Sequence, residues 1–222
     1  MPVNIAIDGP AGAGKSTIAK AAAHHLGYIY VDTGSLYRAI AYYAVSNSID
    51  PHKSEDVIAS LDGIKPELRF IDNVQHVFLN GKDISGEIRT EQISMFASVV
   101  SAIPEVRHFL FELQRKIARE NNIIMDGRDI GTVVLPDADL KIFLTASAEK
   151  RAERRYNELI VKPEPPAYEE VLEDIKQRDY NDMHRPISPL KQADDAVLVD
   201  TSDFTLEQSI TFILNLIKEK LS

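Results

Sequence analysis

Cysteine is absent from the 222 residues, and no long apolar run occurs among them. The first absence excludes disulfides, thiolate metal sites and a cysteine nucleophile. The second excludes a membrane-spanning helix, which needs about 20 consecutive apolar residues. The first eight residues contain an aspartate and no basic segment, so they are typical of a buried strand and not of a signal peptide. We therefore expect a cytoplasmic protein without membrane contacts.

Positive charge is also scarce, with 25 Lys and Arg against 34 Asp and Glu and a net charge of −9. This balance argues against nucleic acid as the main partner. Several arginines nevertheless lie near the motifs described below, which indicates a small polyanionic ligand because guanidinium groups bind phosphate in a forked geometry. The length suits a single α/β domain with insertions, and we expect a monomer.

Five short apolar segments alternate with helical patterns along the chain. They are residues 3–8, 28–31, 123–126, 140–145 and 196–200. This alternation predicts an α/β fold with a five-stranded parallel sheet flanked by helices. Residues 67–71 and 75–79, followed by Asn80-Gly81, predict a small antiparallel insertion within about residues 61–89.

The segment "GPAGAGKST" lies between the first predicted strand and a predicted helix. Its spacing is that of the phosphate-binding P-loop, in which glycines let backbone N–H groups face phosphate oxygens at a helix N-terminus. Lys15 is predicted to reach the β- and γ-phosphates of ATP, and Ser16 to hold Mg²⁺. The predicted ATP-binding residues are Gly9, Pro10, Ala11, Gly12, Ala13, Gly14, Lys15, Ser16 and Thr17.

Motifs of other nucleotide-binding proteins are missing. The chain has neither the Asn-Lys-x-Asp stretch that reads guanine in GTPase switches nor the Leu-Ser-Gly-Gly-Gln signature of ABC-type ATPases. A small-molecule kinase fits best, since such an enzyme needs a second anion site for its acceptor. These absences leave open whether the acceptor is CMP, UMP, AMP or another metabolite, and a nucleotide-dependent switch stays the weaker alternative.

Polar motifs follow two of the predicted strands, at the sheet edge where α/β proteins bind ligands. They are "DTGSLYR" (32–38) and "DGRD" (126–129). Two later groups share a helix face by their spacing, although solvated surfaces or intrahelical ion pairs would give the same spacing. The groups are Arg151, Arg154 and Arg155, and then Arg178, Asp182 and Arg185.

These motifs together resemble the bacterial cytidylate (CMP) kinases of type 1, over nearly the whole chain. The motifs are "IDGPAGAGKST", "DTGSLYR", "NGKDISGEIRT", "DGRDIGTVVLPDADLKIFLTAS", "RAERR" and "IKQRDYNDMHR". The resemblance implies Mg²⁺-dependent, in-line transfer of the ATP γ-phosphoryl group to CMP or dCMP, giving ADP and CDP or dCDP. It also implies a core (1–32, 103–148 and 168–222), an acceptor-binding region with the insertion (33–102) and a lid (149–167) that contains the proline-rich run "VKPEPPA".

The resemblance further implies roles for individual residues. The acceptor's phosphate is assigned to Arg38 and Arg128. The pyrimidine is assigned to Thr33, Arg107, Asp129 and Arg185, and the sugar to Ser98, Arg178 and Asp182. The implied catalytic cations are Lys15, Arg128, Arg151, Arg154 and Arg155. The assignment of Asp129 suits cytosine, because a carboxylate can accept a hydrogen bond from the exocyclic amine that uracil lacks.

Overall fold

The computed structural model describes residues 2–72, 74–161 and 165–221. The chain divides into two compact units. Val3–Tyr28 and Ile124–Ser222 form one, here called the P-loop unit, and Ile29–Ile123 with the first two residues forms the other, here called the middle unit. The division into core, acceptor-binding region and lid stays a prediction, and Lys162, Pro163 and Glu164 of the proline-rich run lie outside the described residues.

Helices and strands alternate along the described residues, as the apolar pattern predicts. The helices are α1 Lys15–Leu26, α2 Gly34–Ser46, α3 Ser54–Ser60, α4 Glu91–Val100, α5 Pro104–Glu120, α6 Ala148–Leu159, α7 Tyr168–His184 and α8 Leu206–Leu221. The strands are β1 Asn4–Asp8, β2 Ile29–Asp32, β3 Pro66–Ile71, β4 Val74–Leu79, β5 Lys82–Asp83, β6 Ile123–Gly127, β7 Leu140–Thr145 and β8 Val197–Asp200. None of the described helices is long and apolar enough to cross a membrane.

Five of the described strands form the predicted α/β sheet, in the order β2-β6-β1-β7-β8. Strand β1 runs parallel to β7, with Ile7 opposite Ile142, and β7 runs parallel to β8. The second strand begins at Ile29, one residue later than predicted, because the N–H group of Tyr28 donates to the Ala23 carbonyl at 2.9 Å and thereby closes the end of α1.

The predicted insertion is an antiparallel sheet of three described strands, in the order β3-β4-β5. The turn at Asn80-Gly81 connects β4 to β5 with positive φ angles of 50° and 83°. Two such angles in a row are those of a type I′ hairpin, which explains the Asn-Gly pair. Strand β5 has only two residues and carries no periodicity, so the sequence pattern predicts two strands where the structure has three.

Each unit has its own apolar core. In the P-loop unit, β1 and β7 are buried along nearly their whole length, which is why they are continuous apolar runs in the sequence. The largest apolar cluster of the middle unit joins α2, α4 and α5 to the insertion, and includes Leu36, Ile40, Val77, Ile88 and Leu110. The insertion therefore shares the core of the unit to which it belongs.

Candidate active site

The P-loop connects β1 to α1 and has the backbone conformation that its glycines allow. Gly9, Gly12 and Gly14 have φ angles of 148°, 74° and 87°, in the region that residues with a side chain seldom adopt. A Cβ atom on Gly9 would overlap the carbonyl oxygen of Leu144, and one on Gly12 would lie 3.3 Å from Cβ of Arg151. Helix α1 begins at Lys15, so its positive N-terminal end lies at this loop.

Lys15 is buried at the start of α1, with 5% of its surface exposed. Its ammonium group donates to the carbonyl oxygen of Pro10 at 2.8 Å. The pKa of Lys15 is lowered to about 7, chiefly by burial and then by the neighbouring Arg128, although Asp126 opposes the shift. An anion bound at this loop would favour the charged form of Lys15, because an adjacent negative charge raises the pKa of an amine.

Ser16 has a carboxylate partner that the sequence patterns do not assign to it. Its hydroxyl donates to Oδ2 of Asp126, the buried fourth residue of β6, at 2.8 Å. A hydroxyl and a carboxylate are hard oxygen donors, which suits Mg²⁺ bound largely by phosphate oxygens and water. The described residues contain no group of three or more His, Cys, Asp and Glu side chains able to hold a metal ion.

Asp8 is a buried carboxylate that sequence reasoning missed as a functional candidate. Its two oxygens accept from the backbone N–H groups of Ile130 and Gly131 at 2.8 and 2.7 Å. Burial raises the pKa of Asp8 to about 6, although the two hydrogen bonds lower it. These bonds hold the turn Ile130–Val134, which directly follows "DGRD". The sequence feature that could have identified Asp8 is its position at the end of β1, immediately before Gly9.

The predicted acceptor-side residues Arg128 and Asp129 both pair with residues at the end of α7. Nε of Arg128 donates to Oδ2 of Asp182 at 2.7 Å, and Nη2 of Arg185 lies 3.5 Å from Oδ1 of Asp129. Burial favours a raised pKa for Asp182, but Arg128 and the neighbouring Arg178 and Arg185 hold that pKa below its ordinary value. The structure thus brings Asp182 and Arg185 to the "DGRD" turn, although α7 ends at His184 and Arg185 follows it in extended conformation, so the predicted helix face does not include Arg185.

The three arginines of α6 have different surroundings, although their spacing predicts one shared face. Arg151 is buried and donates to the carbonyl oxygens of Ala146 and Ala11 and to both carboxylate oxygens of Asp179. Arg154 donates to the carbonyl oxygen of Thr201 at 2.8 Å. Arg155 forms an exposed ion pair with Glu158, one turn further along the same helix.

In the middle unit, Arg38 is held by the carboxylate of Asp32. The two groups form an ion pair of 2.5 Å, and both side chains are about four-fifths buried. The other oxygen of Asp32 accepts from the N–H group of Ser35 at 3.1 Å. A side chain of the insertion, that of Gln75, binds the backbone of Asp32 and the hydroxyl of Ser35.

The remaining predicted residues of the middle unit lie in α4 and α5 or directly before α2. Thr33 is buried just before α2. Ser98 accepts from the hydroxyl of Ser101 through its carbonyl oxygen, and Arg107 donates to the carbonyl oxygen of Ser101 at 3.1 Å. Ser98 and Arg107 are therefore both hydrogen-bonded to Ser101. Their contacts with a pyrimidine nucleotide stay predictions.

Nearly the whole chain is similar in sequence to known proteins of one family. The family model for cytidylate kinase matches residues 5–219. The cytidylate kinase of Caldanaerobacter subterraneus subsp. tengcongensis is 50% identical, with 99% of this chain and 96% of the relative covered. That of Caldicellulosiruptor bescii is 48% identical, with 96% and 95% covered. That of Thermosipho melanesiensis is 46% identical, with 99% of each chain covered.

A solved structure supports the fold alone. The crystal structure of an uncharacterised protein from Eubacterium ventriosum superimposes with a TM-score of 0.52 at 14% sequence identity, over 97% of this chain and 98% of that one. The family is decided by the sequence relatives and by the family model, whose matched residues 5–219 span the P-loop, "DGRD" and both arginine groups. The chain belongs to the cytidylate kinase family.

Proposed function

We propose that this protein transfers the γ-phosphoryl group of ATP to CMP or dCMP, giving ADP and the corresponding diphosphate. The observation that carries the proposal is the nearly full-length match to cytidylate kinases. The buried cation at the P-loop is consistent with it, since a phosphotransferase neutralises charge on the migrating group. A cytoplasmic location and a monomeric state belong to the same proposal, and cell fractionation and sedimentation velocity test them.

On the donor side, the P-loop amides and Lys15 bind the phosphates of ATP. Ser16 and Asp126 would hold the Mg²⁺ ion, which supplies positive charge to the phosphate oxygens when it is bound. Lys15 is already fixed by the carbonyl oxygen of Pro10, so little side-chain freedom is lost when the nucleotide binds. The result is a donor site whose cation is positioned before ATP arrives.

On the acceptor side, the nucleophile is a phosphate oxygen that is already charged near neutral pH. No general base is needed, and the protein acts by positioning and by charge neutralisation. We assign the acceptor's phosphate to Arg38 and Arg128. Because Arg128 is bound to Asp182, its orientation is set in advance. The sugar is assigned to Ser98, Arg178 and Asp182.

The base is assigned to Thr33, Arg107, Asp129 and Arg185. The carboxylate of Asp129 is buried and can accept from the exocyclic amine of cytosine. Uracil presents a carbonyl oxygen at that position, so two acceptors would face each other without a hydrogen bond. This difference favours CMP over UMP.

The arginines of α6 are assigned to two tasks. Arg154 and Arg155 are the better candidates for contacting the transferred phosphoryl group, because a phosphate could replace the contact of Arg154 with the Thr201 carbonyl and that of Arg155 with Glu158. Arg151 is bound on several sides, so its contribution to catalysis is to hold the P-loop at Ala11. We propose that residues 149–167 form a lid that excludes water and so limits hydrolysis of ATP.

An acceptor panel tests the proposed function. ADP production is measured with ATP, Mg²⁺ and CMP, dCMP, UMP, AMP or GMP, and without any acceptor. We expect turnover that depends on CMP or dCMP. Turnover only with another acceptor would assign the chain to a different small-molecule kinase, and hydrolysis that ignores the acceptor would favour a nucleotide-dependent switch.

A further inference from the structure

The amide side chain of Gln75, in the insertion, forms hydrogen bonds with the last residue of β2 and with the start of α2. Oε1 of Gln75 accepts from the backbone N–H group of Asp32 at 2.9 Å. Nε2 of Gln75 donates to the hydroxyl of Ser35 at 2.7 Å and to the carbonyl oxygen of Asp32 at 3.3 Å. An N–H group must face the amide oxygen and a carbonyl must face the amide nitrogen, so these partners fix the orientation of the amide.

These bonds satisfy backbone groups at the end of an edge strand. Strand β2 is the first in the order of its sheet and ends at Asp32. A buried N–H or carbonyl group without a partner is costly, and Gln75 serves as the partner of both groups of Asp32. The hydroxyl of Ser35 also donates to the Asp32 carbonyl at 2.6 Å, so Gln75 and Ser35 hold the same peptide group.

The fixed backbone of Asp32 in turn fixes Arg38. The guanidinium of Arg38 donates to the Asp32 carboxylate through Nη2. Its buried Nε atom has no hydrogen-bond partner among the described residues. A Cβ atom on Gly34 would lie 3.2 Å from Nη1 of Arg38, so the glycine leaves the room that the guanidinium occupies. The orientation of Arg38 therefore depends on Asp32.

We propose that Gln75 is a positioning residue, through which the insertion sets Asp32 and Arg38 for binding the acceptor's phosphate. The inference rests on the proposed function, which assigns that phosphate to Arg38. It gives the insertion a task in acceptor binding besides completing the core of the middle unit. Glutamine is suited to this task because its amide donates and accepts at the same time, while glutamate can only accept.

Steady-state kinetics of two variants test the inference. In Gln75→Ala all three hydrogen bonds of the amide are lost, and we expect the KM for CMP to rise about tenfold, the effect of losing a net hydrogen bond or slightly more. In Gln75→Glu the bond from the Asp32 N–H group survives, but a carboxylate oxygen would face the Asp32 carbonyl, so the KM for CMP should rise at least as much. The KM for ATP should stay within about twofold of wild type in both, since the P-loop amides and Lys15 are untouched.

Direct binding and a double variant separate positioning from a general loss of structure. The Kd for CMP, measured by calorimetry on the nucleotide-free protein, should rise together with the KM. Because Gln75 and Ser35 act on one peptide group, the effect of Gln75→Ala with Ser35→Ala should be less than the product of the single effects. The matched control is Glu67→Ala, which removes an exposed ion pair with Arg69 in the same small sheet.

The outcomes are distinct. Thermal unfolding shows which variants are folded, and Gln75→Glu carries the test if Gln75→Ala does not fold. An unchanged KM and Kd for CMP in a folded variant would overturn the inference, and so would an equal rise for CMP and ATP. If the wild-type protein uses another acceptor, the proposed function fails, and the same variants measured with that acceptor still decide the role of Gln75.

Discussion

The P-loop unit and the middle unit place their charged groups in different ways. In the P-loop unit, Arg151 and Asp179 form a pair whose side chains are 5% and 15% exposed, and Arg128 pairs with the buried Asp182. In the middle unit, the ion pair of Asp32 with Arg38 is somewhat more exposed and depends on the uncharged Gln75 for its backbone. Breaking a buried pair leaves an uncompensated charge, so it affects folding as well as activity. Loss of Gln75 should affect acceptor binding with less effect on folding.

Substitution of Arg151 has the largest expected effect, which is on the free energy of unfolding, and it tests most directly whether the buried pairs of the P-loop unit support folding. Arg151→Ala should lower the free energy of unfolding by about 3–5 kcal/mol, because it leaves the Asp179 carboxylate without its partner in a mostly buried site. Arg155→Ala, on the same helix, removes only an exposed pair and should change the free energy by less than about 0.5 kcal/mol. Urea unfolding of both variants gives the comparison, and equal effects would contradict it.

Lys15 tests the donor side. Lys15→Ala removes a cation fixed in advance at the P-loop and should reduce kcat/KM by about 10²–10³-fold or more, as for other preorganised groups that stabilise developing charge. Lys20→Ala is the matched control, since Lys20 lies on the same helix and is exposed. Initial rates with saturating CMP and varied ATP provide the measurement. Near-normal kcat/KM in the Lys15 variant would remove it from the mechanism.

Asp8 makes folding stability depend on pH. Its pKa is about 6 in the folded protein against 3.8 for a free carboxyl, so the folded state binds the proton more tightly than the unfolded state. The stabilisation from the protonated form is therefore present below about pH 4 and lost as the pH rises to about 6. Between these limits, wild type should lose up to about 3 kcal/mol relative to the non-titrating variant Asp8→Asn.

Urea unfolding of wild type and Asp8→Asn from pH 4 to pH 7 measures this difference. Asp195→Asn is a control of opposite sign, because the hydrogen bond from Lys141 lowers the pKa of the Asp195 carboxyl. Wild type should therefore lose stability relative to Asp195→Asn only as the pH falls below about 4, and the difference between the two should stay nearly constant from about pH 5 to pH 7. A pH-independent difference between wild type and Asp8→Asn would show that Asp8 is not the titrating group.

Asp129 gives the smallest expected effect, on selectivity and not on total activity. Asp129→Ala should narrow the ratio of kcat/KM for CMP to that for UMP, by an amount equivalent to about 1–3 kcal/mol. Asp129→Asn should narrow it further, since its amide can donate to the carbonyl oxygen of uracil. Asp137→Ala, an exposed change in the same segment, serves as the control. An unchanged ratio would exclude Asp129 from reading the base.

Local patterns allowed much of the fold and the donor site to be predicted. The five-stranded sheet is confirmed, because a strand that is buried on both faces must be apolar along its length. The Asn80-Gly81 hairpin is confirmed for a similar reason, since few residues tolerate two consecutive positive φ angles. Family membership is likewise confirmed by the relatives. The substrate contacts of the acceptor residues stay predictions, because spacing alone does not give a ligand's position.

By itself, the sequence determined the fold class, the conformation of the P-loop and the family, since each is recorded in local patterns and motifs along the chain. Only the tertiary structure decided which partner each charge has. The spacing on α6 places Arg151 and Arg155 on one face and so could not show that their surroundings differ. The difference comes from Asp179 on α7 and from Ala11 in the P-loop. Asp8 and Gln75 act on backbone groups 122 and 43 residues away. Such contacts arise only when distant segments pack together, and no periodicity records them.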